Sequence, residues 1–275
     1  MPEADAPNAK RDFFDWPLAP LMEVPPELLI ANTEERDDID NLFLSLALLF
    51  NDLKTALLLL SWLESNKVDD EITPRRGQHT GIAIHMHRYG FAILHELLQL
   101  INENRAIFQG PVFAEIRRKH LLKGFRQMWD ELYAEATSTT TGRALLRRMR
   151  NDTIFHYGQP KTLVAAYREV FFKDPKTPSN THAYASVGNT MEETRFYYAD
   201  AAAQRAFALI ASQVQVDNAH AAVLPILERA NNALVGLIGA FVSYKMAEHA
   251  KKRGVRLPRG PRRKKPTPRR KKPRR

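Results

Sequence analysis

The chain contains no cysteine. That excludes disulfides, thiolate metal ligands and a cysteine nucleophile, and it fits a reducing compartment. Glycine is sparse, 12 in 275 residues, and no phosphate-cradling glycine loop is present. The first fifteen residues, Met1 to Asp15, hold no apolar signal segment. The longest apolar stretch near the C-terminus is short as well. Leu234 to Met246 is too short to span a bilayer, and upstream it meets Glu228, Arg229, Asn231 and Asn232. These absences lead to the expectation of a cytoplasmic protein (nuclear if the source is eukaryotic) without a membrane partner. Acidic residues, finally, are absent from the last 25 positions, which carry 15 of the 41 Lys and Arg. The other 250 residues hold 26 basic and 31 acidic side chains, so the body is mildly acidic and the excess positive charge is an appended arm.

What is present is helical. Proline divides the body at Pro74, Pro111, Pro160, Pro175 and Pro178. Residues 1–32, with Trp16-Pro17 and Pro25-Pro26, read as extended and mobile. A first helix follows from a Thr33 cap and is apolar on most sides, with Leu42, Phe43, Leu46, Leu49, Leu53, Leu57 and Leu60 at helical spacing and Leu44, Leu48, Leu58 and Leu59 on another face. Further helices are predicted from Gln78 to Asn104, after Pro111 through Leu132, from Gly142 to about His156, from Lys161 to Lys173, after a Thr190/Glu193 capping box, and from Asp217 to Ala250 with a bend at Pro225. The expected architecture is all-α, an antiparallel bundle of six to seven helices over residues 33–250 between disordered termini.

The tail, residues 251–275, alternates proline with basic clusters and has no apolar residue after Leu257. It cannot build a core and should stay disordered. Lys251, Lys252, Arg253, Arg262, Arg263, Lys264, Lys265, Arg269, Arg270, Lys271, Lys272, Arg274 and Arg275 would hold RNA or another polyanion electrostatically. No aromatic side chain interrupts them, so base stacking plays no part.

One segment carries chemistry: Arg150-Asn151-Asp152-Thr153-Ile154-Phe155-His156-Tyr157. Histidine moves protons near neutral pH. Arginine neutralises a phosphorane-like transition state through a fixed fork of donors. The amide of Asn151 can orient either. With RNA, the substrate's own 2′-hydroxyl is the nucleophile, so a base, an acid and a charge clamp suffice. Arg143, Arg147 and Arg150, at i, i+4 and i+7, form one stripe that could guide a phosphate backbone or be a solvated face.

This arginine, polar residue and histidine resemble the Arg-x(4–6)-His pattern of the HEPN superfamily of helical ribonucleases and nucleotide-binding proteins, and Phe155-His156-Tyr157 is similar to an ending common there. The resemblance implies an all-helical fold, a symmetric homodimer and metal-independent RNA cleavage without cofactor, in a toxin or defence setting with an antitoxin or other partner protein. It carries over to Arg150, Asn151 and His156 as catalytic residues. On a straight helix Arg150 and His156 fall about 120° apart, with His156 between Leu145 and Met149. A catalytic pair therefore needs a break or a cleft there; otherwise His156 is a core histidine. The alternative function is a non-catalytic helical interaction protein that sits on nucleic acid through its tail. His79, His85, His87 and His95 lack the i, i+4 spacing of helical metal pairs, and no metal is expected.

Overall fold

A computed structural model of the chain describes residues 23–30, 38–68, 72–154, 161–172, 182–191 and 193–253, the side chains of 153, 154 and 161 excepted. The protein is all-α: α1 (Pro26–Leu29), α2 (Asp38–Ser65), α3 (Pro74–Glu103), α4 (Arg105–Gln109), α5 (Pro111–Lys119), α6 (Lys123–Thr137), α7 (Thr141–Met149), a π-helical turn (Arg150–Ile154), α8 (Lys161–Phe171), α9 (Tyr197–Gln213) and α10 (Ala219–Lys252). Among the described residues the one β interaction is an isolated antiparallel bridge between Ser186 and Arg195.

α3 and α10 are the scaffold. α3 packs against α2, α6, α7 and α9, while α10 packs against α6, α2 and α5. Leu94, Leu97, Leu98 and Ile101 of α3 are buried against Leu234 and Leu237 of α10, Leu132 of α6 and Leu145 and Leu146 of α7 in one core. The leucine-rich α2 buries Leu42, Phe43, Leu46 and Leu53 in that core, and Leu44 and Leu48 stay exposed at 58% and 63%. Asp40, in the first turn of α2 and only 3% exposed, accepts from Lys245 Nζ of α10 at 2.7 Å. The same ammonium lies over the Phe241 ring, which stacks on Phe43.

Several boundaries differ from the sequence expectation, each for a local reason. Residues 26–29 form a helical turn inside the segment read as extended, because Pro26 occupies a first helical position, where its missing N–H costs nothing. The single helix expected after Pro111 is two. Arg126 reaches back from α6 and donates to the carbonyls of Leu121 (2.7 Å) and Arg118 (2.8 Å), occupying carbonyls at the end of α5 and so stabilising the corner. The Thr190/Glu193 pattern does not start a helix. Glu193 accepts from the Asn189 N–H at 2.8 Å within a tight turn, and α9 begins at Tyr197. α10 runs past Ala250, so Lys251 and Lys252 are helical and Arg253 is its C-cap, while the rest of the basic tail lies outside the described residues. α2 and α10 are each long enough, and each holds an 18-residue stretch apolar enough, to cross a bilayer, although Leu234 to Met246 alone is not. A core helix meets that test equally.

At the junction of α3, α9 and α10 the rings of His87 and His220 meet edge to face at 4.5 Å, against Phe91 and Phe207. Burial, then the His87 charge, pushes His220 down to about 4, and burial also lowers His87. An unfolded imidazole titrates near 6.5, so between that value and about 4 the unfolded chain binds more protons than the folded one. Stability must fall as pH falls through this window. Tm is expected to be lower at pH 5 than at pH 7, with a smaller drop in His220→Phe; equal drops in the two proteins would refute the assignment.

Candidate functional site

The motif begins where α7 ends. Thr140 caps α7 by accepting from the Arg143 N–H at 3.1 Å, and Leu145, Leu146 and Met149 turn one face into the core. The expected helix to His156 stops at Met149, and the backbone continues as the π-helical turn Arg150–Ile154. Such turns occur as local expansions of α-helices, frequently at functional sites. His156, with Phe155 and Tyr157, lies outside the described residues.

α3 supplies the groups that face this turn. Arg150 Nε lies 3.3 Å from Glu96 Oε1, and Arg150 Nη1 donates to Asn151 Oδ1 at 3.3 Å. His95 Nδ1 is 3.6 Å from the same Glu96 oxygen, with a side chain only 14% exposed. Burial, then the charges of Arg150 and Arg143, hold His95 below the ordinary histidine value, and Glu96 pulls it the other way. Burial thus disfavours the charged form of the ring. Asn151 is exposed beside the arginine it touches.

A cavity of about 390 Å³ opens between α3 and α7, lined among others by His95, Gln99, Asn102, Thr139, Arg143 and Arg147. Two of the three stripe arginines thus meet in one concavity. Their employment differs. Arg143 Nη1 donates to the carbonyls of Ala136 (2.6 Å) and Ser138 (3.4 Å), closing the end of α6. Arg147 is exposed. The cavity can take an anion at Arg147 beside the His95 imidazole, whereas Arg150, Asn151 and Glu96 do not line it.

His95 and Glu96 are site residues that sequence reasoning weighed only as a metal ligand or passed over. Their signal was present: they are the two polar residues that interrupt the apolar run from Phe91 to Leu98. The other histidines go elsewhere. His79 bonds the Leu63 carbonyl at 2.9 Å, His87 meets His220, and His85 lies within electrostatic reach of Arg88, Arg195 and Asp200. Among the described residues no three His, Asp or Glu side chains converge to hold a metal ion. No protein-family model, no curated protein and no solved structure matches the chain.

Proposed function

We propose that the protein is a HEPN-like, metal-independent endoribonuclease that acts as a homodimer, with Arg150 as phosphate clamp, His156 as proton carrier and Asn151 orienting them. The observation that carries the reading is the meeting of Arg150 and His95 at Glu96, with His95 also lining the cavity that holds Arg143 and Arg147. In the proposed step the 2′-hydroxyl oxygen bonds to phosphorus while the bond from phosphorus to the 5′-oxygen breaks. A histidine takes the hydroxyl proton, a second group returns a proton to the leaving oxygen, and Arg150 holds the added negative charge. Glu96 keeps the guanidinium oriented toward the turn before substrate arrives.

One observation favours the rival reading, a non-catalytic interaction protein: the guanidinium of Arg143 is committed to backbone carbonyls, as in a structural cap. The two readings part on the product ends. Single-stranded RNA incubated in excess EDTA is expected to be cut to fragments ending in 2′,3′-cyclic phosphate, while single-stranded DNA, which lacks the attacking hydroxyl, stays intact. RNA that is bound but recovered whole, from the purified protein and from cells expressing it, would select the interaction protein.

A further inference from the structure

The body of the protein is net acidic, yet one end of it gathers positive charge. Residues 115–126, the last turns of α5 and the start of α6, hold Arg117, Arg118, Lys119, Lys123 and Arg126 against the single acid Glu115. The end of α10 adds Lys251, Lys252 and Arg253. Sequence separates these groups by well over a hundred residues, and packing joins them. α5 contacts α10, His120 Nδ1 lies 3.1 Å from Ser243 Oγ, and the His120 ring sits edge-on to Tyr244. From Ser243 the helix needs eight residues, about 12 Å, to reach Lys251. The Glu115 carboxyl feels both sides of the corner. It is held below the usual range by Lys119, with smaller contributions from Arg118 and Lys251.

Not all of this charge is free to bind. Arg117 is held by Asp130 at 2.6 Å, Lys119 by Glu115 at 2.5 Å, and Arg126 by backbone carbonyls. Lys251 is 3.9 Å from Glu248 with its side chain 81% exposed, a loose pair. Arg118, Lys123, Lys252 and Arg253 are exposed. A basic helix end offsets its own carbonyl dipole, which accounts for α5 alone. It does not account for the convergence of two helix ends and the α6 start on one corner, at the point where the strongly basic residues beyond Arg253 begin.

We propose that the corner formed by the α5–α6 turn and the last turn of α10 is a docking surface for a nucleic-acid phosphate backbone. The basic residues of positions 251–275 supply sequence-independent attraction for a polyanion. A fixed set of charges on the folded body gives the backbone a direction, and Arg118, Lys123 and Lys252 are the residues that provide it. The exposed apolar neighbour, Leu122, is aliphatic and offers no stacking platform, so the surface reads charge and spacing and not base identity. This inference stands whether or not the RNA is cleaved.

The test uses the full chain. Arg118→Gln, Lys123→Gln and Lys252→Gln together are compared with a control, Lys67→Gln with Arg75→Gln, on a different part of the body. Binding of single-stranded RNA and DNA is followed across a salt series. For the triple variant the slope of log K against log salt is expected to become shallower by about 2, with affinity near 0.1 M salt lower by roughly 10–100-fold; the control, whose charges lie off the surface, should keep the wild-type slope. Wild-type protein gives a second reading free of folding effects: Lys123 and Lys252 should be protected from acetylation by bound RNA, and Lys67 should not. A triple variant that binds like the control, or lysines labelled equally with and without nucleic acid, overturns the proposal. So does protection by anionic phospholipid vesicles but not by RNA or DNA, which would make the corner a membrane contact.

Discussion

Replacing His156 with alanine is expected to lower RNA cleavage in EDTA by about 10²–10⁴-fold, the usual worth of a positioned proton carrier. Arg150→Ala should cost a comparable factor, on the order of 3–4 kcal/mol, by removing a donor aimed at developing charge. Glu96→Gln gives the more informative measurement. It leaves Arg150 in place and removes the carboxylate 3.3 Å from its Nε. The expected result is a smaller loss, largely in the rate of cleavage and not in RNA binding, since the clamp keeps its charge and loses its orientation. Binding in all three variants should persist, because the basic tail is untouched. Wild type and His156→Ala cutting a panel of RNAs at the same rate, with unchanged circular dichroism, would end the catalytic reading.

The second large effect concerns the ion pair that joins the two ends of the fold. Lys245→Met removes the ammonium from a carboxylate only 3% exposed and is expected to destabilise the protein by about 3–5 kcal/mol. The loss combines a charge left in low dielectric with the contact over Phe241. Asp40→Leu combined with Lys245→Met should recover most of it, because two apolar side chains bury at that site without the desolvation cost of two ions. Urea titrations of the two single variants and the double variant read the coupling directly. Single losses that simply add in the double variant would show that the pair is not a coupled unit.

The all-helical fold was legible because its carriers are strongly periodic. Ile93, Leu97 and Leu100 recur at helical spacing within the helix expected from Gln78 to Asn104, while the Thr73 cap, which accepts from the Arg76 N–H, starts that helix at Pro74, four residues earlier than expected. The α5–α6 corner was not legible. No proline or glycine breaks the chain at His120, and the determinant is Arg126, a residue beyond the break that turns its guanidinium back to two carbonyls. The Thr190/Glu193 pattern misled because a short acid after a threonine suits a tight turn as well as a helix start, and the Ser186–Arg195 bridge favours the turn. At the candidate site, Arg150 and Asn151 could be found from local spacing. Glu96 and His95 lie more than fifty residues upstream, and only the packing of α3 on α7 brings them to the motif. The π-helical turn was invisible for a different reason: one residue of helical expansion leaves no compositional mark.

The contact between Asp40 and Lys245 spans 205 residues of chain, from near the first long helix to the end of the last. During synthesis α2 leaves the ribosome early and finds α3 soon after it. Its other partner, Lys245 of α10, is made 205 residues later. At about 5–20 residues per second that interval is roughly 10–40 s, during which Phe43 lacks the ring it stacks on and the Asp40 carboxylate lacks its cation. Vectorial folding of this bundle can complete only once α10 has been made, and until then the face of α2 that packs against α10 lacks its cover.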